Sequence, residues 1–190
     1  MNTLRLYHAG YEIIRAPDIR FGRKNADFGQ GFYLSDDEEF SRRWARERRD
    51  AETWLNRYEL CADGLNIRRL ERDGAWFDYI FANRMGYDDR LSEYDVIVGP
   101  IANDTIYDTM GILTSGLLGR DQALQLLLLG PAYEQTVIKT RKALSALRFD
   151  GAVRLTADEI AGYRETVRQE EQAYQEQLAQ TLNTLWNAAD

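Results

Sequence analysis

The chain is poor in the residues that build metal and disulfide sites: its 190 residues include one cysteine, Cys61, and one histidine, His8. A single cysteine excludes an intramolecular disulfide and a cysteine-based zinc site, and a single histidine excludes a multi-histidine metal centre. Positive charge is also in short supply, with 24 Lys and Arg against 31 Asp and Glu and a net charge of −7. A protein built mainly to hold nucleic acid needs a positive footprint for the phosphates, which argues against that class. A nucleotide-sized ligand needs only a local site and is not excluded. Long apolar runs are missing. The longest, Leu124 to Leu129, is interrupted by Gln125 and followed by Gly130-Pro131, well short of the roughly 20 residues that cross a bilayer. No basic stretch followed by an apolar core opens the chain, so neither a secretory signal nor a membrane partner is expected, and a reducing, cytoplasmic setting fits.

What is present describes an ordinary folded domain. Hydrophobic residues make up 44% and charged residues 29% of the chain, enough for one good core at this length. Thr3 to His8 alternates Leu4 and Leu6 with polar residues and reads as a strand, followed by a structured loop over Tyr11 to Asn25. Gly31 to Ser35 is a second strand. Ser35 and Glu38 are spaced as a capping box for a helix over about Asp36 to Glu52 that carries Phe40 and Trp44 on one face. Trp54 to Cys61 alternates as a strand, and Gly74 to Met85 reads as a helix burying Trp76, Phe77, Ile80 and Phe81. Tyr94 to Val98 is β-branched and stopped by Gly99-Pro100. Asp104 to Leu118 and Gly119 to Leu129 follow as two helical stretches, then a strand over Gln135 to Lys139, a short helix over Thr140 to Leu147 and a strand over Phe149 to Leu155. Thr156 and Glu159 form a second capping box, opening a long helix to about Ala188. Strands scattered among helices, without clean strand–helix–strand repeats, indicate an α+β fold.

Two segments stand out chemically. His8 sits at the end of the first strand in Tyr7-His8-Ala9-Gly10, and two glycines flank Gln30 ahead of the aromatic strand Phe32-Tyr33-Leu34. Gly29-x-Gly31 lacks the third glycine and the acidic partner of a dinucleotide fingerprint, and Asp27-Phe28-Gly29 lacks the companion motifs of a kinase. Glycines before a strand serve equally as a turn or as a close approach of backbone to ligand. Arg20 and Arg23, beside Gly22, suit either a diphosphate or a solvated loop. Asn103-Asp104-Thr105 suits a helix cap, and the arginines at 42, 43, 46, 48 and 49 are interleaved with acids as on a solvated face.

Six segments, taken together and in order, resemble a bacterial DUF3990-type family of the ADP-ribosyltransferase superfamily. They are Tyr7-His8-Ala9-Gly10, the run Asp27 to Leu34 (DFGQGFYL), Trp44-Ala45, Asn83-Arg84, the run Tyr94 to Asp104 (YDVIVGPIAND) and the run Gln135 to Leu144 (QTVIKTRKAL). The resemblance covers about Leu4 to Phe149. It implies an ADP-ribosyltransferase-like domain over residues 1–155, with split antiparallel β-sheets and flanking helices clasping NAD as substrate. The long helix of residues 156–190 lies outside it and is expected to pack on the same domain. The family pattern gives His8 a ribose hydroxyl of NAD and Tyr33 the nicotinamide ring. Gln135 takes the position where many superfamily members carry a catalytic glutamate, and Glu134, its neighbour in a strand, faces the other way. The remaining NAD contacts implied are Ala9, Gly10, Arg23, Gly31, Phe32, Asn103 and Asp104, with no metal.

The expected activity is transfer of ADP-ribose to a protein or nucleic-acid acceptor, as a toxin or phage-defence effector or as a housekeeping modifier. Gln135 then acts with a pre-activated acceptor, or another acid such as Asp104 assists. The alternatives are NAD hydrolysis, an NAD- or ADP-ribose-binding module without catalysis, and a partner-binding domain whose C-terminal helix docks an antitoxin or other protein.

Overall fold

The computed structural model describes residues 2–106, 111–112, 116 and 118–187. Strands β1 (Thr3–Gly10), β3 (Thr53–Cys61) and β7 (Leu147–Leu155) pair antiparallel in the order β1-β3-β7. A second sheet runs β2-β6-β5-β4, from β2 (Phe32–Leu34), β6 (Glu134–Ile138), β5 (Val96–Pro100) and β4 (Ile67–Arg69). Its pairs are antiparallel except β4 with β5. The helices are α1 (Glu38–Arg43), α2 (Gly74–Arg84), α3 (Asn103–Ile106), α4 (Arg120–Leu127), α5 (Arg141–Ser145) and α6 (Ala157–Asn187). The chain is therefore α+β, with two mostly antiparallel sheets, and no helix among the described residues is long and apolar enough to cross a membrane.

The period of the side chains decides how the sheets are covered. In β5, Val96 and Val98 face a core shared with Leu6, Tyr58, Leu60, Phe32 and Ile138, while Ile97 faces a second core with Phe28, Trp76, Ile80 and Val137. Both faces of this strand are buried, which is why it reads as a continuous apolar run rather than an alternating one. Each fully buried Leu, Ile, Val or Phe stabilises the fold by about 1.5–3 kcal/mol. The two sheets are stitched where β1 passes the end of β2: Tyr7 N donates to Ser35 O at 2.8 Å and Ser35 N to Tyr7 O at 3.1 Å. That stitch sets His8 beside Tyr33.

Several sequence expectations are corrected. The first helix spans six residues, not the stretch to Glu52, and its cap is Asp37, whose carboxylate accepts Phe40 N at 2.9 Å. Ser35 instead donates to Glu134 O at 3.1 Å and so belongs to the sheet junction. Past Trp44 the residues 46–50 are charged and exposed, leaving no apolar stripe to hold a helix against the core. The strand ending at Val98 runs on through Gly99 and Pro100, opposite Gln135 and Glu134. Gly99 is a close approach, not a stop: a Cβ there would lie 3.0 Å from Leu70 Cβ and 3.1 Å from Phe28 Cζ. Pro100 ends the strand and its carbonyl accepts Trp76 Nε1 at 2.8 Å. Short β4, unanticipated in the sequence, pairs Ile67 to Arg69 with Val96 to Val98. Asn103–Ile106 is helical, and the rest of the helix expected to Leu118 falls largely outside the described residues. Phe81 is half-buried, whereas Tyr79, unremarked in the sequence, is buried.

The box at Thr156 forms as read. Thr156 N donates to Glu159 Oε2 at 2.8 Å and Glu159 N to Thr156 Oγ1 at 3.3 Å. The 31-residue α6 buries Ile160 against Leu55 and Leu155, then Tyr174 and Leu178 against Leu126.

Candidate functional site

A cavity of about 500 Å³ opens where the ends of β1, β2 and β6 meet, walled on one side by α1 and on another by the loop before β2. Its lining includes His8, Tyr33 and Gln135, brought together by the register of the sheets. Tyr33 pairs with Val137, and Gln135 lies two residues along β6 on the same face, diagonal to Tyr33. His8 arrives from the other sheet through the Tyr7–Ser35 stitch.

The imidazole of His8 is held in one tautomer. Its Nδ1 lies 2.8 Å from Tyr33 O, and a carbonyl only accepts, so Nδ1 carries the proton and Nε2 presents a lone pair. Phe32 packs on the ring with centroids 4.9 Å apart. Burial lowers the His8 pKa below its ordinary value, partly opposed by the bond to Tyr33 O, so the ring is neutral at pH 7. A Cβ on Gly10 would come within 3.4 Å of His8 Nε2, so glycine there leaves that nitrogen uncovered.

Tyr33 is fixed from its far end. Its hydroxyl donates to Gly29 O at 2.7 Å and accepts Phe28 N at 2.9 Å. Burial pushes its pKa up, so it stays a phenol. Gln135 is 6% exposed, and its Nε2 has no hydrogen-bond partner among the described residues. An amide donor sealed off from water without a partner is destabilising by about 1–3 kcal/mol, a feature that calls for an explanation.

The other lining charges are mostly neutralised locally. Asp18 binds Arg20 through both carboxylate oxygens, Oδ1 accepting from Nε at 3.0 Å and Oδ2 from Nη2 at 2.6 Å, which occupies the Arg20 guanidinium. Asp27 accepts Arg84 Nε at 2.8 Å, and Arg84 reaches Asp104 at 2.8 and 3.0 Å and also Thr105 Oγ1. Two carboxyl groups share one guanidinium there, and burial raises the Asp27 pKa above its ordinary value, partly opposed by Arg84; of this group Asp27 and Thr105 line the cavity. The Arg23 side chain has no ion-pair or hydrogen-bond partner among the described residues.

The residues singled out in the sequence thus divide. His8, Ala9, Arg23, Gly31, Phe32, Tyr33 and Gln135 all line the cavity, whereas Gly10, Asn103 and Asp104 do not. Asn103 is fully buried and its amide donates to Leu129 O, while Asp104 is occupied by Arg84. Glu134 is exposed and outside the cavity. Asp27, Phe40, Trp44 and Thr105 are among the further lining residues that were assigned no role from sequence. The ion pair of Asp27 with Arg84 spans 57 residues, a separation that no local pattern reveals. Among the described residues no group of three or more His, Cys, Asp or Glu is placed to hold a metal ion.

Against known proteins, the profile of the family described as Protein of unknown function (DUF3990) matches residues 4–149. The chain belongs to the DUF3990 family. No curated protein and no solved structure matches it. All cavity-lining residues fall inside the DUF3990 match, and α6 falls beyond it. That added helix nevertheless braces the DUF3990 cavity from behind. Glu170 on α6 accepts Arg43 Nη1 at 2.6 Å, the same nitrogen donates to Tyr133 Oη at 2.7 Å, and Tyr133 stacks on Phe40 with centroids 4.3 Å apart. Phe40 forms part of the cavity wall.

Proposed function

We propose that this protein is an NAD-dependent ADP-ribosyltransferase, with an ADP-ribosyltransferase-like fold, that moves ADP-ribose from NAD to a macromolecular acceptor. The observation that carries the reading is the unpartnered Gln135 amide in the wall of a cavity that also presents the bare Nε2 of His8. A buried donor and a neighbouring ring acceptor, neither with a hydrogen-bond partner among the described residues, suit a ribose bearing vicinal hydroxyls. His8 Nε2 accepts from one hydroxyl and Gln135 Nε2 donates to a ribose oxygen, while the immobilised Tyr33 ring packs on the nicotinamide.

The reaction breaks the bond between ribose C1′ and the nicotinamide nitrogen, and the bonding pair leaves with nicotinamide. Positive charge develops at C1′ until the acceptor's nucleophile attacks, and the acceptor then loses its proton. Gln135 contributes no full negative charge. Asp27 is the carboxyl of the Arg84 cluster in the cavity wall, and in its ionised form it favours that cation electrostatically.

Calorimetric titration with NAD, with nicotinamide followed by chromatography in the same sample, tests the reading. Saturable binding with nicotinamide release is expected, faster when a suitable acceptor is present. Release with water as the sole acceptor would indicate a glycohydrolase, and binding without release under any condition a sensor. Absence of binding at millimolar NAD would overturn the proposal. Gln135→Glu is expected to change the ratio of transfer to hydrolysis, and no change would place the scissile bond elsewhere.

The neutral His8 also sets a pH dependence. Protonation removes the Nε2 acceptor, and burial has lowered the pKa from its ordinary 6.5, so NAD affinity should be flat through neutrality and fall only in acid, with a midpoint below 6.5. Folding stability follows the same sign, because the unfolded chain binds this proton more readily. In His8→Gln the acid limb assigned to His8 should disappear from the binding profile; persistence of the same limb would assign it to another group.

A further inference from the structure

Phe21 is the most exposed large apolar residue described, at 90%, yet it lines the cavity. Its backbone is anything but loose. Asp18 caps the short 3-10 turn Ile19–Phe21, accepting Arg20 N at 2.9 Å, and Gly22 N closes the turn on Ile19 O at 3.1 Å. The Gln30 amide then donates to Arg20 O and Gly22 O, both at 3.0 Å, clamping the turn from either side. Gly22 lies flat on Gly31, since a Cβ there would fall 2.1 Å from Gly31 O. The fold holds this segment tightly against the cavity floor and leaves the ring in water, although burying it would be favourable.

Two residues on, Arg23 lines the same cavity. The acids of that lining, Asp18 and Asp27, are matched by Arg20 and Arg84, which leaves Arg23 as a lining cation with no counter-ion among the described residues. A flat apolar ring on a clamped turn and, two residues on in the lining of the same cavity, a guanidinium without a counter-ion among the described residues match a purine joined to a diphosphate. A peptide acceptor would use the ring but offers no reason for the uncompensated cation.

Resting on the NAD reading, we propose that Phe21 and Arg23 form the subsite for the ADP half of the dinucleotide, Phe21 stacking on the purine and Arg23 pairing with the diphosphate. Gln30 and Asp18 are positioning residues that hold the turn. The test is calorimetric titration of the full chain with ADP-ribose and, separately, with nicotinamide mononucleotide, which lacks the purine. Phe21→Ala should weaken ADP-ribose binding by about 5- to 100-fold and leave the mononucleotide unaffected, while Phe21→Trp should restore it. Arg23→Ala should weaken ADP-ribose by about tenfold or more. Because the Phe21 ring is exposed, the melting temperature of Phe21→Ala should match the parent. If both alanine variants bind ADP-ribose as the parent does while His8→Ala weakens NAD, the subsite assignment falls, the NAD reading stands, and Phe21 faces the acceptor instead. If the parent binds neither NAD nor ADP-ribose, the NAD reading falls and the subsite with it.

Discussion

Arg84→Met is expected to destabilise the protein by about 3–5 kcal/mol at neutral pH, the usual consequence of removing one partner from a buried ion pair. Arg84 is 14% exposed in its side chain, and its two carboxylate partners are less exposed still, at 9% for Asp27 and 1% for Asp104. Burial works against the charge on Arg84, but the two aspartates outweigh it and raise its pKa. For Asp27, burial pushes the pKa up and Arg84 opposes that. Without the guanidinium, the cause that opposes burial at Asp27 is gone and its pKa rises further, so the folded variant holds that proton more readily. The unfolded chain ionises Asp27 normally, so it binds fewer protons than the folded variant across mildly acidic pH. The deficit should therefore shrink as pH falls from 7 toward 5. Urea unfolding at the two pH values reads this directly. A loss below about 1 kcal/mol, or one indifferent to pH, would mean that the cluster is better hydrated than its burial indicates.

Tyr33→Ala is expected to abolish nicotinamide release. Stacking and burial of a ring of this size are together worth about 2–4 kcal/mol, which corresponds to a loss of roughly 30- to 1000-fold in kcat/KM. The hydroxyl and the ring have separable duties. Tyr33→Phe leaves Phe28 N without its acceptor at 2.9 Å and Gly29 O without its donor at 2.7 Å, a stability cost of about 1–3 kcal/mol, but it keeps the stacking surface. Release by the phenylalanine variant, at a temperature where it is folded, should thus stay within about tenfold of the parent. Equal loss in both variants would show that the hydroxyl's grip on the 28–29 backbone matters more than the ring. Unchanged turnover in Tyr33→Ala would remove Tyr33 from the site.

The parts of this molecule legible in its sequence are those written within a few residues. Alternation in β1 and β3, the β-branched run of β5 and the Thr156–Glu159 box all depend on neighbours one to four positions away, which is the range over which side chains on one strand or one helix turn meet. Helical spacing of Phe40 and Trp44 points to a longer helix than α1, because spacing says nothing about whether the next turn has a core to lie on. Gly99-Pro100 looked like a terminator because the same dipeptide serves a turn or a tight strand crossing. Only the presence of Leu70 and Phe28 beside Gly99 decides between them.

Of the site itself, His8 and Tyr33 could be singled out in advance, since a lone histidine at a strand end and an aromatic strand after paired glycines are local features. That they touch is a consequence of the Tyr7–Ser35 stitch between two sheets. The sequence by itself determined the α+β class, the lack of a multi-histidine or cysteine-based metal centre and the chemistry available at each strand end. Tertiary structure alone decided the pairing of Arg84 with Asp27 and Asp104, and left Arg23 and the Gln135 Nε2 without partners among the described residues, whereas Arg20 and Asp18 meet within one turn. Secondary structure answers to nearest neighbours along the chain, whereas the partner of a charge or a buried amide is chosen by how distant segments pack.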